Sequence, residues 1–298
     1  EDANGNGTYD TSDTTDYTNS DTDGDGMSDG WEVEHGMNPR SGLHTSLVGW
    51  WRFDDASGTN ALNSARTNYH GQLVNMPTSS WVNGKLGKAL QFEGTNDYVR
   101  IPQSPVLITG QQFTASGWAY LNSINGDQYP TIISDFDLCS YNYDGFWLGW
   151  DKHNAGAGLF GANCAGPYIW LLDTQSIAGQ WHHIATSYDG TNGVVYMNGV
   201  PVVSGAGTFG PALQNEIRIG WANDTSSTYY WDGKLDDIRL YTSALSSNDI
   251  AGMYDAFLDP DGDGYINLDE YNAGTDPAWS NPPPTIVVTY PSQGAVLP

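Results

Sequence analysis

Thirteen residues near the start, SDTDGDGMSDGWE at 20–32, hold five carboxylates broken up by glycines, and LDPDGDGYINLDE at 258–270 is nearly the same string. With Asp21 set against Asp259, Asp23 matches Asp261, Asp25 matches Asp263, Gly26 matches Gly264 and Glu32 matches Glu270. The match runs on to Gly36 with Gly274 and Pro39 with Pro277. So many like charges repel one another unless a cation gathers them. The spacing suits calcium. A twelve-residue loop offers side-chain oxygens at positions 1, 3 and 5, turns on a glycine at 6, and gives a carbonyl at 7. Position 9 helps directly or through water, and a bidentate Glu at 12 closes the sphere.

In the first loop these are Asp21, Asp23, Asp25, the Met27 carbonyl, Asp29 and Glu32. In the second they are Asp259, Asp261, Asp263, the Tyr265 carbonyl, Asn267 and Glu270. Ca²⁺ accepts six to eight hard oxygens at irregular angles, whereas Mg²⁺ demands a strict octahedron and keeps more water. Metal uptake is therefore expected to fold each loop. No amphipathic helix precedes Asp21, so the first loop lacks the entering helix that a regulatory sensor would swing. At least two Ca²⁺ sites are expected.

The elements between the loops change in character. Residues 1–20 form an aperiodic acidic and polar linker, 21–45 the first calcium segment, 46–257 a β domain and 258–280 the second calcium segment. Residues 281–298 are a proline-rich spacer ending in TIVVTY, a strand without a local partner. That strand either opens a further sandwich domain or pairs with the sheet edge of another molecule, a route to self-association. Within 46–257, short alternating runs separated by turn signals predict an all-β sandwich. They are LVGWWRF, ALQFEG, DYVRIP, FTASGWAYL, TIISDFD, FWLGWD, HHIATSYD, VVYMNGVPVV, IRIGWA and LDDIRLY. Twelve Trp and 18 Tyr fit such strands. Asn198-Gly199 predicts a tight hairpin turn. One helix is expected near 246–257, with Ser246 and Asp249 as a capping pair and Ile250, Met253, Tyr254 and Phe257 at helical spacing. Trp50, Phe53, Leu90, Phe92, Trp118, Trp181, Ile184 and Ile238 are the expected core. His182 and His183 point to opposite sides of one strand, which favours structural roles.

DTDGDGMSDGWEVEHGMNP and DPDGDGYINLDEYNAGTDP resemble the thrombospondin type 3-like calcium repeats of bacterial extracellular proteins. Through 46–257, the blocks WWRFDDASGT, GKLGKALQFEGTNDYVRIP, FTASGWAYL, QWHHIATSYDG, VVYMNGVPV and WDGKLDDIRLYTSALSSNDI resemble, in order, the laminin G-like family. The resemblance implies a concanavalin A-like jelly roll of two antiparallel sheets, with ligand binding rather than catalysis. It also implies a further calcium ion on the sandwich, with Asp54 and Asp236 as candidate ligands; turn capping by these carboxylates is the other reading.

An aromatic-rich stretch at 139–170 contains Tyr143, Trp147 and Trp150 beside Asp151 and His153, a composition that suits stacking on sugar rings. Trp147 and Trp150 lie an odd number apart, so on one strand they face opposite ways and at least one belongs to the core. Cys139 and Cys164 are expected to form a disulfide in an oxidising compartment, the alternative being two reduced thiols. A net charge of -25 disfavours nucleic acid and anionic membrane as partners. No apolar run reaches bilayer length, so membrane insertion is not expected. Only six Glu occur, two already assigned to calcium, and no strand carries the alternating acids of a glycosidase. The expectation is a non-catalytic, extracellular calcium-binding module of a bacterial secreted or cell-surface protein. It would bind a glycan or a cell-surface or matrix protein. The alternatives are a structural spacer of a stalk, sheath or filament, and an accessory domain of a polysaccharide-degrading enzyme.

Overall fold

The computed structural model describes residues 46–85, 87–102, 112–123, 129–135, 137–139, 142–152, 156–163, 169–172, 178–207, 216–222 and 229–255, with positions 258 and 267. The chain divides into two compact units, Glu1–Asp255 and Ala256–Pro298. The β architecture belongs to the first. Its strands in chain order are β1 (Leu47–Trp51), β2 (Asn60–Ala61), β3 (Gly71–Val74), β4 (Trp81–Asn83), β5 (Lys88–Glu93) and β6 (Tyr98–Ile101). Then come β7 (Phe113–Leu121), β8 (Thr131–Ser134), β9 (Asp137–Cys139), β10 (Asn142–Asp151), β11 (Gly156–Asn163) and β12 (Ile169–Leu172). The last are β13 (Trp181–Tyr188), β14 (Asn192–Met197), β15 (Val200–Ala206), β16 (Ile217–Ile219) and β17 (Asp232–Tyr241), followed by helix α1 (Ser247–Asp255).

Among the described residues these strands form two antiparallel sheets. Sheet I runs β15–β14–β13–β7–β17–β5–β4 with β1 added against β17. Sheet II runs β12–β11–β10–β8–β16–β6–β3–β2 with β9 added against β10. The expected all-β sandwich is therefore observed. All ten expected runs contain strands, and β2, β3, β4, β9, β11 and β12 are additional.

Alternation decides which side chains enter the space between the sheets. From β7, Phe113, Ala115, Ala119 and Leu121 point inward. They join Leu235, Ile238 and Leu240 of β17 in one cluster with Val99, Ile101, Phe146, Leu148 and Trp150 of sheet II. Burying each large apolar side chain contributes about 1.5–3 kcal/mol. Two bulges shift this alternation. One in β1, between Leu47 and Gly49, sends Trp51 inward opposite Ile238 and Trp50 outward opposite Arg239. The other, between Asp236 and Arg239, sits on Asp237 at φ 49° and lets Leu235 and Ile238, three apart, both face the core.

The core expectation holds for Phe53, Leu90, Phe92, Ile184 and Ile238. Trp118 is also buried as expected, at 2% exposure, though on the outer side of sheet I against His183 and Tyr254. The expectation is corrected for two tryptophans: Trp50 is half-buried on the outer side because of the β1 bulge, and Trp181 is half-buried beside Tyr120.

Helix α1 begins as the capping pair predicts. The Ser246 N–H donates to Asp249 Oδ2 at 2.6 Å, and the Asp249 N–H donates to Ser246 Oγ at 3.2 Å. Its apolar side, Ile250 and Met253, lies on Ala185, Tyr196 and Tyr241, on the outer face of sheet I. Phe257 lies outside the described residues. The β14–β15 turn carries positive φ at both central residues, Asn198 at 50° and Gly199 at 77°, as its Asn-Gly sequence requires.

Candidate functional site

The two carboxylates proposed for a sandwich ion, Asp54 and Asp236, meet the same short connection between β4 and β5. Asp236 is buried, and its Oδ2 accepts the Lys85 N–H at 2.9 Å. Asp54 is exposed; its Oδ1 accepts the Lys88 N–H at 2.9 Å and its Oδ2 faces Arg52 at 3.1 Å. A side chain at Gly84 would strike Asp236, and one at Gly87 would strike Asp54, so both glycines are needed for this clamp. These contacts match the turn-capping reading. Among the described residues no group of three or more His, Cys, Asp or Glu side chains gathers as a metal centre would.

Of the two calcium loops, Asp21, Asp23, Asp25, Met27, Asp29, Glu32, Asp259, Asp261, Asp263, Tyr265 and Glu270 lie outside the described residues. Asn267, position 9 of the second loop, is described: it is buried, and its N–H donates to the Leu258 carbonyl at 2.9 Å. That bond joins the residue before the loop to its ninth position.

The aromatic stretch at 139–170 divides as its odd spacing demands. Trp150 points into the inter-sheet core, fully buried. It is a core residue and not a ligand platform, because both ring faces are packed. Trp147 is also buried, 2% exposed, but on the outer side of sheet II, where its indole N–H donates to Thr131 Oγ1 at 3.0 Å and its ring is covered by Ala222, Tyr129 and Tyr229. Asp151 is fully buried at the end of β10. The side chain of Tyr143 and all of His153 lie outside the described residues. So does Cys164, and with it the expected disulfide; Cys139 ends β9, opposite Asn142.

The outer face of sheet II carries a larger constellation. Half-buried Tyr129 and Tyr229 sit with ring centroids 5.5 Å apart, and Tyr129 meets Trp147 edge-on at 6.5 Å. Beside them Trp221 and Tyr230 stack at 5.3 Å with an interplanar angle of 7°, and Tyr98 leans on Trp221 at 4.8 Å. Ser134 Oγ donates to the Trp221 carbonyl at 3.1 Å and anchors that residue to β8. The Arg218 guanidinium lies 5.3 Å over the Trp221 ring.

Glu216 joins two arginines. Arg100 Nε donates to its Oε1 at 2.6 Å, and Arg218 Nη2 lies 3.7 Å from its Oε2. The Arg100 bond holds the Glu216 carboxyl below the usual range. Desolvation pushes the Tyr230 hydroxyl up, with Tyr98 and Asp97 adding to it.

Of this constellation sequence reasoning singled out Trp147 alone and missed the other residues. The available signal was Tyr229-Tyr230-Trp231, three consecutive aromatics after the polar run NDTSST, where a strand would alternate. Chemically the site offers flat apolar rings beside hydrogen-bonding groups held in fixed orientation, the composition of a site for a ligand with apolar faces and polar edges.

An antiparallel sandwich of two sheets is the fold of concanavalin A-like domains. The family comparison agrees with it. Residues 93–251, more than half of the chain, match the concanavalin A-like lectin/glucanases superfamily (Laminin_G_3), and the chain belongs to that family. Residues 21–39 and 259–278 match the bacterial TSP3 repeat, as the acidic strings led us to expect.

Pappalysin-1 of Mus musculus is 25% identical over 182 residues, which is 55% of this chain and 11% of that protein. The chain thus spans about a ninth of the curated relative it matches. Among solved structures, domain 4 of AbnA, a GH43 extracellular arabinanase of Geobacillus stearothermophilus in complex with arabinotriose, aligns with a TM-score of 0.53 and 21% identity. It covers 70% of this chain and 98% of that one. The binding domain of Paraclostridial Mosquitocidal Protein 1 aligns at 0.56 and 13%, covering 71% and 52%. At these identities the likeness concerns the fold alone.

Proposed function

We propose that this chain is a non-catalytic, extracellular carbohydrate-binding module whose sandwich is flanked by calcium-stiffened connectors. The observation that carries the reading is the outer face of sheet II, where half-buried Tyr98, Tyr129, Trp221, Tyr229 and Tyr230 lie beside the Arg100–Glu216–Arg218 network. The arabinotriose complex of a domain sharing the fold supports a sugar as the ligand. The TSP3 matches at both ends support Ca²⁺ and an extracellular setting, and the pappalysin match adds to the latter. Among the described residues no helix is long and apolar enough to cross a membrane.

Affinity electrophoresis through gels containing plant and bacterial polysaccharides tests the reading. At least one polysaccharide is expected to retard the protein, and Trp221→Ala is expected to abolish that retardation. Free migration in every gel would defeat it. Chelation is expected to lower the melting temperature and to expose residues 20–40 and 258–280 to protease before the sandwich, because an ion that binds only the folded loops stabilises them. An unchanged melt and unchanged cleavage in chelator would remove calcium from the account.

A second reading, a spacer within a stalk, sheath or filament, is favoured by the placement of a repeat on each side of the sandwich. Sizing the protein with and without residues 281–298 tests it. Monomers for both at all concentrations would reject self-assembly through the terminal strand.

A further inference from the structure

Arginines of the sandwich face acids, with one exception. Arg52 pairs with Asp54, Arg100 and Arg218 share Glu216, and Arg239 meets Asp237. Half-buried Arg66, on the loop between β2 and β3, has no ion pair and no hydrogen bond among the described residues, in a chain with 35 acidic residues against 10 basic. Its Nε is shielded from solvent and donates to nothing. Turning the guanidinium toward a ligand therefore breaks no bond it now makes, and an acceptor there would satisfy an unmet donor.

The loop that carries it is fixed to β1. Asn63 bridges to Trp51, and its side chain is fully engaged. Oδ1 accepts the Trp50 and Ala65 N–H groups, each at 3.0 Å, and Nδ2 donates to the Val48 and Asn68 carbonyls, each at 3.1 Å. The Ser64 N–H donates to the Trp50 carbonyl at 2.7 Å, and the Trp51 indole to the Tyr69 carbonyl at 3.2 Å.

On this frame Arg66, His70 and the exposed Ser64 and Thr67 line one surface depression of about 480 Å³. His70 Nδ1 accepts the Asn63 N–H at 3.0 Å, so its Nε2 carries the proton and is a donor. Among the described residues no carboxylate lines the depression; Asp55 holds the loop from outside it, accepting the Leu62 N–H at 3.0 Å. A guanidinium fork beside hydroxyl and imidazole donors suits an oxyanion. A lone guanidinium in a chain of net charge -25 matches a single negative charge, whereas a phosphate ester brings nearly two. Leu62, 49% exposed, and Ala65 add apolar wall, which suits an organic carrier over a bare ion.

We infer that the depression formed by residues 62–70 binds a singly charged oxyanion, a carboxylate or sulfate ester on a compact organic molecule, with Arg66 as its anchor. The site lies apart from the aromatic residues of sheet II and does not rest on the carbohydrate-binding reading.

Two-dimensional NMR of the full calcium-loaded chain tests it by following the Arg66 Nε–H signal, identified by its loss in Arg66→Lys. Glucuronate and glucose 6-sulfate present the anion on a sugar, and N-acetyl-leucinate presents it on an amino acid. At least one is expected to shift the signal saturably and to bind roughly tenfold or more tighter than glucose, and the arm that does so identifies the carrier. Glucose 6-phosphate should bind more weakly than the sulfate. By calorimetry Arg66→Gln should lose roughly tenfold or more in affinity, with Arg66→Lys between it and the wild type. Arg66→Gln should melt no lower than the wild type, since it breaks no bond; a lower melt would make Arg66 a structural residue and overturn the inference. So would glucose binding as tightly as the acids, affinity unchanged in Arg66→Gln, or inorganic sulfate binding as tightly as glucose 6-sulfate, which would mean an adventitious ion only.

Discussion

The two sheets have outer faces built from the same residue classes and put to different uses. On sheet I, Trp118, His183, Asp236, Asp237, Arg239 and Tyr241 are all buried, and helix α1 lies on the same face through Ala185, Tyr196 and Tyr241. Asp237, Arg239 and Tyr241 are paired there. Trp50 Nε1 donates to Asp237 Oδ1 at 2.5 Å, Arg239 Nε reaches Asp237 Oδ2 at 3.1 Å, and Tyr241 Oη donates to Met253 Sδ at 3.1 Å. Burial would lower the Arg239 guanidinium, but Asp237 and Tyr241 together hold it above its ordinary value. On sheet II the rings of Tyr98, Tyr129, Trp221, Tyr229 and Tyr230 stay half-buried, and among the described residues no helix lies against them. The residue type alone does not mark a binding surface. What distinguishes sheet II is that its aromatic and paired polar groups stay half-buried, where those of sheet I are buried.

Three substitutions or conditions separate these uses, beginning with the largest. Phe92→Ala empties part of the inter-sheet core and is expected to cost about 3–5 kcal/mol by chemical denaturation. Tyr229→Ala should cost far less stability while weakening sugar binding. Equal losses for the two would mean that the sheet II patch is simply more core.

The second is pH. Burial, with Arg239 acting the same way, pushes His183 from its ordinary 6.5 down to about 3. The folded state therefore keeps this ring neutral where the unfolded chain protonates it. Its contribution is fully present above pH 6.5 and is lost as pH falls from 6.5 toward about 3, by at most about 1.4 kcal/mol per pH unit. Denaturation midpoints of His183→Phe should fall less steeply over that window than those of the wild type. Parallel slopes would show that His183 carries none of the acid sensitivity.

The smallest effect is the helix cap. Ser246→Ala should cost about 1 kcal/mol by loss of the Asp249 N–H partner. It should leave sugar binding on the opposite sheet unchanged. A change in affinity would couple the two faces in a way the structure does not provide.

Much of this fold was legible in the sequence because period-two alternation and turn chemistry act locally. The strand FTASGWAYL, the Asn198-Gly199 turn and the Ser246–Asp249 cap all appear where their residues require. The tryptophans were harder. WW at 50–51 leaves two parities open, and only the bulge at Val48 selects Trp51 for the core. LDDI at 235–238 carried a readable clue, since two apolar residues three apart cannot share a face of an unbroken strand. The sheet II site was not legible for a different reason. Its residues come from strand ends and connections far apart in sequence, and their meeting beside β6, β16 and β8 exists only once the pairing order is known. The acidic repeats, by contrast, are contiguous, and their spacing and resemblance led to the bacterial TSP3 repeats that the family match bears out.

The comparison of faces is tested most directly by following the tryptophan indole N–H resonances in a two-dimensional NMR titration of the calcium-loaded protein with a neutral oligosaccharide. The account predicts that the signal of Trp221 moves with ligand while those of Trp50 and Trp118, on sheet I, stay in place. Movement confined to Trp50 and Trp118, or no movement at saturating sugar, would contradict it.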